Sequence, residues 1–203
     1  MELLNVVMPD LITGGEALGA MLEGNHTLKE LDLRWNSLRL NSAVILAKSL
    51  RINDSLVTLK LGNNAFGELA TETLGMSLKY NKTLTYLDLS YNSLNPKATT
   101  VIANSLMYNH VLKEIILDGN VLGRVGTQSL VASVQRAAGD HRTLEISFNN
   151  CDCEKVDKRI FDPANPAGIW KLGFFLFLFS FFTHFQITYL INNYIFFFIY
   201  LIS

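Results

Sequence analysis

The chain has 203 residues, of which 49% are hydrophobic and 17% are charged, and its formal net charge is −1. This near-neutral charge gives no general attraction to nucleic acid or anionic lipid, and two cysteines exclude a scaffold held together by disulfides. Every Asp, Glu, Lys and Arg lies within residues 1–171, and none lies in residues 172–203. The composition therefore predicts a normally charged body and a tail of different chemistry.

Four segments of the body share the pattern L-x-x-L-x-L-x-x-N-x-L and follow one another at equal spacing. They begin at Leu28, Leu56, Leu84 and Leu112. A weaker fifth copy, Leu144–Cys151, aligns with the fourth at an offset one residue larger, with His141 replacing its first leucine and Cys151 filling its last leucine position. Leucines two apart, such as Leu31 and Leu33, point to one face of a strand. One repeat cannot bury that face alone, so the pattern predicts a stack of repeats.

Two columns of asparagine follow the same period. The first column stands where each strand must turn, and its members are Asn36, Asn64, Asn92 and Asn120. An asparagine there can bond backbone groups of the turn that would otherwise be buried without a partner. The second column follows each predicted helix, and its members are Asn25, Asn53, Asn81 and Asn109. Because asparagine tolerates the left-handed conformation, we expect this column to cap helix C-termini.

Apolar residues at i and i+4 predict helices over about 42–52, 70–80, 98–108 and 126–138. A column of small residues runs beside them, and it consists of Ala47, Gly75, Ala103 and, in the fourth copy, Val131. Small side chains at these positions would allow neighbouring helices to pack closely.

These repeats resemble the leucine-rich repeat family, specifically its 28-residue, ribonuclease-inhibitor-like type, which is found also in the sensor ends of NOD-like receptors. The resemblance covers residues 11–151. It implies an α/β solenoid, a short right-handed horseshoe arc with parallel strands on the concave face and helices on the convex face. It also implies a non-catalytic scaffold that binds a protein partner. Residues 1–24 show no good strand motif, so we expect an array (residues 1–151) that begins inside a repeat and belongs to a longer repeat protein or acts as a monomer.

Side chains between the core leucines should point onto the concave face, where they differ from copy to copy as a partner-specific surface would. In the alignment of the fifth copy given above, Glu145 continues the column of Ile116 and Phe148 continues the column of Gly119. The candidate partner-binding residues are Asp32, Arg34, Trp35, Lys60, Asn63, Asp88, Ser90, Tyr91, Asp118, Glu145 and Phe148. Tryptophan, arginine and tyrosine are enriched at binding hot spots.

The sequence shows no motif for catalysis or for a cofactor, neither a phosphate-binding glycine loop nor a His-Glu-x-x-His pair. Cys151 and Cys153 would be half of a zinc site without a second pair, and we expect them to be buried, reduced thiols, as in a cytoplasmic protein. We therefore predict no enzyme activity, no metal and no nucleic-acid partner. Regulation of a small GTPase is a further hypothesis, made by family analogy alone.

The remaining sequence leaves the repeat pattern. Residues 152–171 contain Pro163 and Pro166 and are predicted to form a partial C-terminal cap or a linker. Residues 172–203 hold ten of the chain's 13 phenylalanines. They admit two interpretations: translated A/T-rich non-coding sequence, or a membrane anchor over residues 172–191 with the repeats in the cytosol. The anchor would make the protein a tail-anchored sensor or adaptor.

Overall fold

A computed structural model describes residues 3–5, 11–153, 185–188 and 198–201 of the chain. Strands and helices alternate along the body, in the order β1 (Leu3–Asn5), α1 (Leu11–Gly24), β2 (Glu30–Asp32), α2 (Leu40–Ser49), β3 (Thr58–Lys60), α3 (Gly67–Leu78), β4 (Tyr86–Asp88), α4 (Pro96–Leu106), β5 (Glu114–Ile116), α5 (Gly123–Gly139) and β6 (Glu145–Ser147). Two further strands, β7 (Phe185–Thr188) and β8 (Phe198–Leu201), pair with each other in antiparallel fashion.

The six strands of the body form one parallel sheet in which the spatial order is the sequence order. Each helix packs against the helix of the next repeat. Neighbouring strands lie about 4.8 Å apart, whereas packed helices need about 8–10 Å. Because the helices need more room than the strands, the sheet lies on the inner, concave side. The predicted α/β repeat solenoid is confirmed, and it includes a first strand, Leu3–Asn5, that the sequence pattern did not reveal.

The core lies between the sheet and the helices and repeats from one copy to the next. The strand leucines Leu31, Leu59 and Leu87 are completely buried, and the phenylalanine Phe66 that replaces a leucine of the pattern is almost completely buried. Burial of each such side chain contributes about 1.5–3 kcal/mol. Between the helices, a Cβ atom on Gly75 would approach Val101 Cγ1 to 2.9 Å. The close packing predicted from the small-residue column is therefore present at this position.

The asparagines of the turn column form a buried ladder between repeats, as predicted. The amide of Asn64 donates to Leu33 O (2.9 Å) and to Leu61 O (2.8 Å), which joins two repeats through one side chain. Its Oδ1 accepts from the backbone N–H of Asn36 and of Leu38. These backbone groups would otherwise be buried without partners, at a cost of about 1–3 kcal/mol each.

The second asparagine column does not cap helices in the left-handed conformation. α2 is capped by Leu50 in a right-handed conformation, and the chain then makes a short turn in which Asn53 N donates to Ser49 O. The Asn53 amide reaches back one repeat and donates to Leu22 O (2.7 Å), while its Oδ1 accepts from Leu56 N (2.8 Å). Asn81 and Asn109 make the corresponding bonds. This column is thus a second ladder, placed where the helices end.

The helices begin two to three residues earlier than the periodicity predicted, and α2 to α4 also end earlier. The starts of α2, α3 and α5 follow the turn almost without a loop, because single residues in the left-handed conformation redirect the chain there: Leu40, Gly67 and Gly123. α4 instead begins with a Pro at its first turn, and the side chain of Asn95 accepts from Ala98 N (2.9 Å). Apolar periodicity does not detect these short redirecting turns.

The last repeat is longer than the sequence alignment predicted. α5 extends over 17 residues, and the strand register pairs Ile115 with Ile146 and Ile116 with Ser147, whereas the alignment paired Ile116 with Glu145. The true offset therefore exceeds the predicted one by two residues. Cys151 consequently holds the asparagine position of the turn ladder rather than a leucine position, and its Sγ donates to Leu117 O (3.1 Å). Cys153 holds the leucine position that follows it.

Little of the predicted tail falls on residues that the structure describes. The predicted cap or linker lies outside them except for Asp152 and Cys153, and the predicted anchor lies outside them except for residues 185–188. Those four residues form strand β7 rather than part of a helix. Among the residues described, no helix has the length and hydrophobicity needed to cross a membrane.

Candidate partner-binding face

The face of the sheet opposite the helices is called the open face below. Strand residues on either side of the buried leucines point onto it, because side chains alternate along a strand. Four columns of side chains cross it. From the register and the turn hydrogen bonds, they are Glu30, Thr58, Tyr86, Glu114 and Glu145; Asp32, Lys60, Asp88, Ile116 and Ser147; Arg34, Gly62, Ser90, Asp118 and Asn149; and Trp35, Asn63, Tyr91, Gly119 and Asn150.

Nine of the eleven predicted residues occupy the columns that the sequence assigned to them. Glu145 and Phe148 do not. The strand register places Glu145 beside Glu114 instead of Ile116, and Phe148 packs against the hydrophobic core instead of lying on the open face. Both differences follow from the larger offset of the last repeat.

The sequence analysis missed the first column, which precedes the central leucine of each strand. Its first four members are Glu30, Thr58, Tyr86 and Glu114, and all four are partly exposed. Strict alternation would have found them, because Glu30 and Asp32 flank Leu31 and must share a face. The pattern drew attention only to positions between two leucines.

Two ion pairs neutralise the charges of the open face at its N-terminal end. Arg34 binds Asp32 through two nitrogens, with Nη2 at 2.6 Å from Oδ2 and Nε at 3.0 Å from Oδ1. The hydrogen bond from Arg34 lowers the pKa of the Asp32 carboxyl below its usual value. Lys60 Nζ lies 2.5 Å from Glu30 Oε1 on the neighbouring strand. Arg34 and Lys60 are the basic residues of the four columns, and both are thus paired.

The C-terminal half of the face carries carboxylates and no basic residue in these columns. Asp88 Oδ1 accepts from the backbone N–H (2.9 Å) and the hydroxyl (2.7 Å) of Ser90. Asp118 Oδ1 accepts from Ser147 Oγ (2.6 Å) and from Asn149 N (2.8 Å), which ties the fourth repeat to the last. These bonds hold the two carboxylates in fixed positions without neutralising them.

The pKa of Tyr86 reflects the negative charge of this half. Its hydroxyl has a raised pKa, first because it is partly buried and then because Asp88 and Glu114 lie near it and disfavour a phenolate. Glu114 and Glu145 stand directly opposite each other on neighbouring strands, an arrangement in which like charges repel. The open face therefore changes from neutral to acidic along the solenoid.

Exposed aromatic rings stand at the edge of the open face where the strands end. Trp35 is 75% exposed and Tyr91 is 49% exposed, and both have the left-handed backbone conformation, with φ of 63° and 53°. The Tyr91 ring lies against Gly119, where a Cβ atom would come within 2.2 Å of ring carbon Cε1. Because Gly119 has no side chain, the Tyr91 ring can pack against the next repeat at this position.

The arrangement offers little to a metal ion. Within the part of the chain that the structure describes, no group of three or more His, Cys, Asp or Glu side chains could hold one. His26 pairs with Asp54, with Nδ1 at 2.7 Å from Oδ1, but both side chains are about two-thirds exposed at the opposite end of the strands. What the open face can do is make ion pairs, hydrogen bonds and aromatic contacts.

Comparison with known families agrees with this architecture. The model of the family described as Leucine Rich repeat matches the chain at two places, residues 24–43 and 80–98. The first match contains β2 and the turn at Asn36, and the second contains β4 and the turn at Asn92. No curated protein matches the sequence significantly. The chain therefore carries leucine-rich repeats at these two places, within an α/β solenoid that continues beyond them.

Proposed function

We propose that the repeats form a non-catalytic scaffold that binds a protein partner on the open face of the sheet. Solenoids of this kind use their extended concave surfaces for binding. One observation carries the proposal. The core columns repeat from copy to copy, whereas the open-face columns change residue type at nearly every strand. Stability of the stack does not require that variety, and recognition of one partner would account for it.

The open face also has the parts of a protein-binding surface. Trp35 and Tyr91 present large rings at one edge, and such rings anchor many protein interfaces. Tyr86 lies in the acidic half, on the same strand as Asp88, and it adds a partly exposed ring with a polar hydroxyl. We infer that the rings contribute most of the affinity.

The acidic half indicates the chemistry of the partner. Glu114 and Glu145 stand opposite each other on neighbouring strands, and lysine or arginine groups of a partner could bind to both carboxylates. Asp88 and Asp118, held by their hydrogen bonds, would add to the attraction with little loss of side-chain freedom. We therefore propose a protein partner with a basic surface. Its association should be faster at low ionic strength.

The proposed role is non-catalytic, as is usual for repeat solenoids that serve as binding surfaces, and the carboxylates of this face are fixed by local bonds. Asp32 binds Arg34, Asp88 binds Ser90, and Asp118 binds Asn149. The two free cysteines fit a reducing compartment such as the cytoplasm.

Site-specific photocrosslinking on the full-length chain tests the proposal. A benzophenone amino acid replaces Tyr91 on the open face or Tyr80 near the end of α3, a control residue of similar exposure. We expect position 91, and not position 80, to capture a basic protein. Trp35→Ala with Tyr91→Ala should weaken binding of that protein by about 30-fold or more, the size of a hot-spot loss. Unchanged binding in this double variant, with loss in Tyr80→Ala, would place the partner elsewhere.

A further inference from the structure

The last repeat places two thiols side by side at the end of the stack. In the preceding repeat, Asn120 and Leu122 are both buried. The strand register puts Cys151 and Cys153 at the corresponding positions of the last repeat. Asp152, which lies between the two cysteines, is exposed. The repeat pattern itself therefore turns both thiols towards the same side.

Backbone hydrogen bonds fix this segment against the preceding turn. Asp152 N donates to Asn120 O (3.0 Å), and Gly123 N donates to Asp152 O (2.9 Å). On either side of this bridged residue, both cysteines pack against the edge of the hydrophobic core. Each remains partly exposed, whereas Asn120 and Leu122 are both 2% exposed or less. Part of each cysteine is therefore open to a small reagent.

The two thiols also interact with each other. The pKa of Cys153 is lowered to about 7, because the neighbouring Cys151 side chain and Thr127 favour its thiolate, whereas Cys153 and burial raise the pKa of Cys151. Near neutral pH, a substantial fraction of Cys153 is therefore the thiolate, which is the reactive form of cysteine, whereas Cys151 keeps its proton. One nucleophile and one neighbouring thiol make up the pair.

We propose that Cys151 and Cys153 form an oxidation site, which a peroxide closes into an intrachain disulfide at the end of the repeat array. This site is separate from the open face and does not depend on the proposed partner. Its reactants are two thiols of the chain and one molecule of hydrogen peroxide.

The chemistry takes two steps. The Cys153 thiolate attacks one oxygen of the peroxide, an S–O bond forms, the O–O bond breaks, and hydroxide leaves and takes up a proton as water. The sulfur of Cys151, losing its proton, then attacks the sulfenic acid of Cys153. An S–S bond forms, the S–O bond breaks, and a second water leaves. Two thiols are oxidised by two electrons in total, and one peroxide is reduced to two waters.

Disulfide formation removes a bond of the turn ladder. Reduced Cys151 donates to Leu117 O at 3.1 Å, and a disulfide sulfur has no hydrogen to donate. The carbonyl at the end of β5 would lose this contact with the last repeat. Oxidation thus acts at the point where the final repeat is joined to the stack.

Mass spectrometry of the full-length chain tests the site. The protein has only two cysteines, and trypsin cleavage after Arg142 and Lys155 leaves both in one peptide, residues 143–155. After treatment with one equivalent of hydrogen peroxide, we expect this peptide to be lighter by two hydrogen atoms, resistant to alkylation, and restored by dithiothreitol. The rate should rise as the pH increases through about 7.

Two variants and one peptide serve as controls. Cys151→Ser should stop at a sulfenic acid on Cys153 that dimedone traps, and Cys153→Ser should react at least about tenfold more slowly. A synthetic peptide of residues 143–155 gives the rate without the fold. The proposal is wrong if that peptide oxidises as fast as the protein, if disulfides form only between chains, or if both cysteines remain open to alkylation.

Discussion

The central repeats and the last repeat make the same kinds of bonds with different residues. Between β3 and β5 the repeats keep one constant spacing and use one asparagine at each turn and another after each helix. The last repeat is three residues longer. It uses Cys151 at the turn and Arg142 after the helix, where the guanidinium donates to Leu106 O (2.7 Å) and to Asn109 O.

The hydrogen-bond acceptors, which are backbone carbonyl oxygens, are therefore equivalent in the two regions, and only the donors differ. Leu33 O and Leu61 O accept from the asparagine of the next repeat, and Leu117 O accepts from a thiol in the same relation. Backbone carbonyls at the sheet edge must be satisfied in any stack, but several side chains can do so. The donors differ in strength, and the two regions should differ accordingly in stability.

The largest effect is expected at the turn ladder. Asn92 is completely buried, donates to Leu61 O and Ser90 O, and accepts from Phe66 N. Asn92→Ala should lower the free energy of unfolding by about 3 kcal/mol, because several buried backbone groups lose partners. The same truncation in the last repeat, Cys151→Ala, should cost about 1 kcal/mol, because a thiol is a weak donor. Urea denaturation followed by circular dichroism measures both.

The midpoint of the urea transition should shift without a change in its slope if both variants unfold in the same cooperative transition. Equal losses for Asn92→Ala and Cys151→Ala would contradict the distinction between the two regions. It would mean that the contact of the cysteine with Leu117 O is as strong as the amide ladder.

A smaller effect is expected at the helix ends. Arg142→Met keeps an apolar stem but leaves the carbonyls of Leu106 and Asn109 without this donor, which should cost about 1–2 kcal/mol. Burial already lowers the pKa of the Arg142 guanidinium, and its Nε is buried without a hydrogen-bond partner among the described residues. These costs of burial therefore offset part of the stabilisation that the Arg142 hydrogen bonds provide in the native protein. The exposed Arg124→Met on α5 is the control, and a loss in Arg142→Met no greater than in the control would show that the guanidinium does not join these repeats.

The sequence predicted the central repeats well because their residues recur. Leucines at fixed spacing identify the core, and a polar residue such as Asn64 in an otherwise apolar column can only be explained by satisfied backbone groups. The asparagines after the helices were harder to interpret. Asparagine is common both as a left-handed cap and as a bridging amide, and only the three-dimensional position of Leu22 O and its equivalents distinguishes the two roles.

The last repeat was misaligned for a physical reason. Moving a strand by two residues leaves every side chain on the same face, so the predicted and the observed alignments both keep Ile146 in the core. Hydrophobic alternation cannot choose between them. The length of α5 decides, and no local pattern encodes the bonds that Arg142 makes beyond the end of that helix. The errors at Glu145, Phe148 and Cys151 all follow from this one choice.

The two ends of the open face also differ, because one is neutral and the other is acidic. At the neutral end, lowering the pH should reduce the free energy of unfolding by a modest amount. Arg34 lowers the pKa of Asp32 in the folded protein. The pair therefore stabilises the fold above about pH 4, the ordinary range of an aspartate, and this contribution is lost as the pH falls through the lowered pKa. Arg34→Gln should reduce stability by under about 1 kcal/mol at pH 7, because Arg34 is half exposed, and by less at pH 3. Arg51→Gln is the control, because Arg51 lies over the Tyr80 ring instead of a carboxylate, and the same pH dependence in both variants would refute the assignment to Asp32.

The smallest effect on stability is expected at the acidic end of the open face, where one substitution should raise stability but weaken partner binding. Glu114→Gln removes one of two carboxylates that face each other across β5 and β6, so the free array should gain a few tenths of a kcal/mol. The same change should weaken a basic partner by severalfold and reduce the dependence of its association rate on salt. Glu16→Gln on α1 is a control, because it removes the same exposed charge far from the open face. If Glu114→Gln alters neither quantity beyond this control, the carboxylates of the last two strands do not select the partner, and recognition must rest on other groups of the open face, such as the rings of Trp35 and Tyr91.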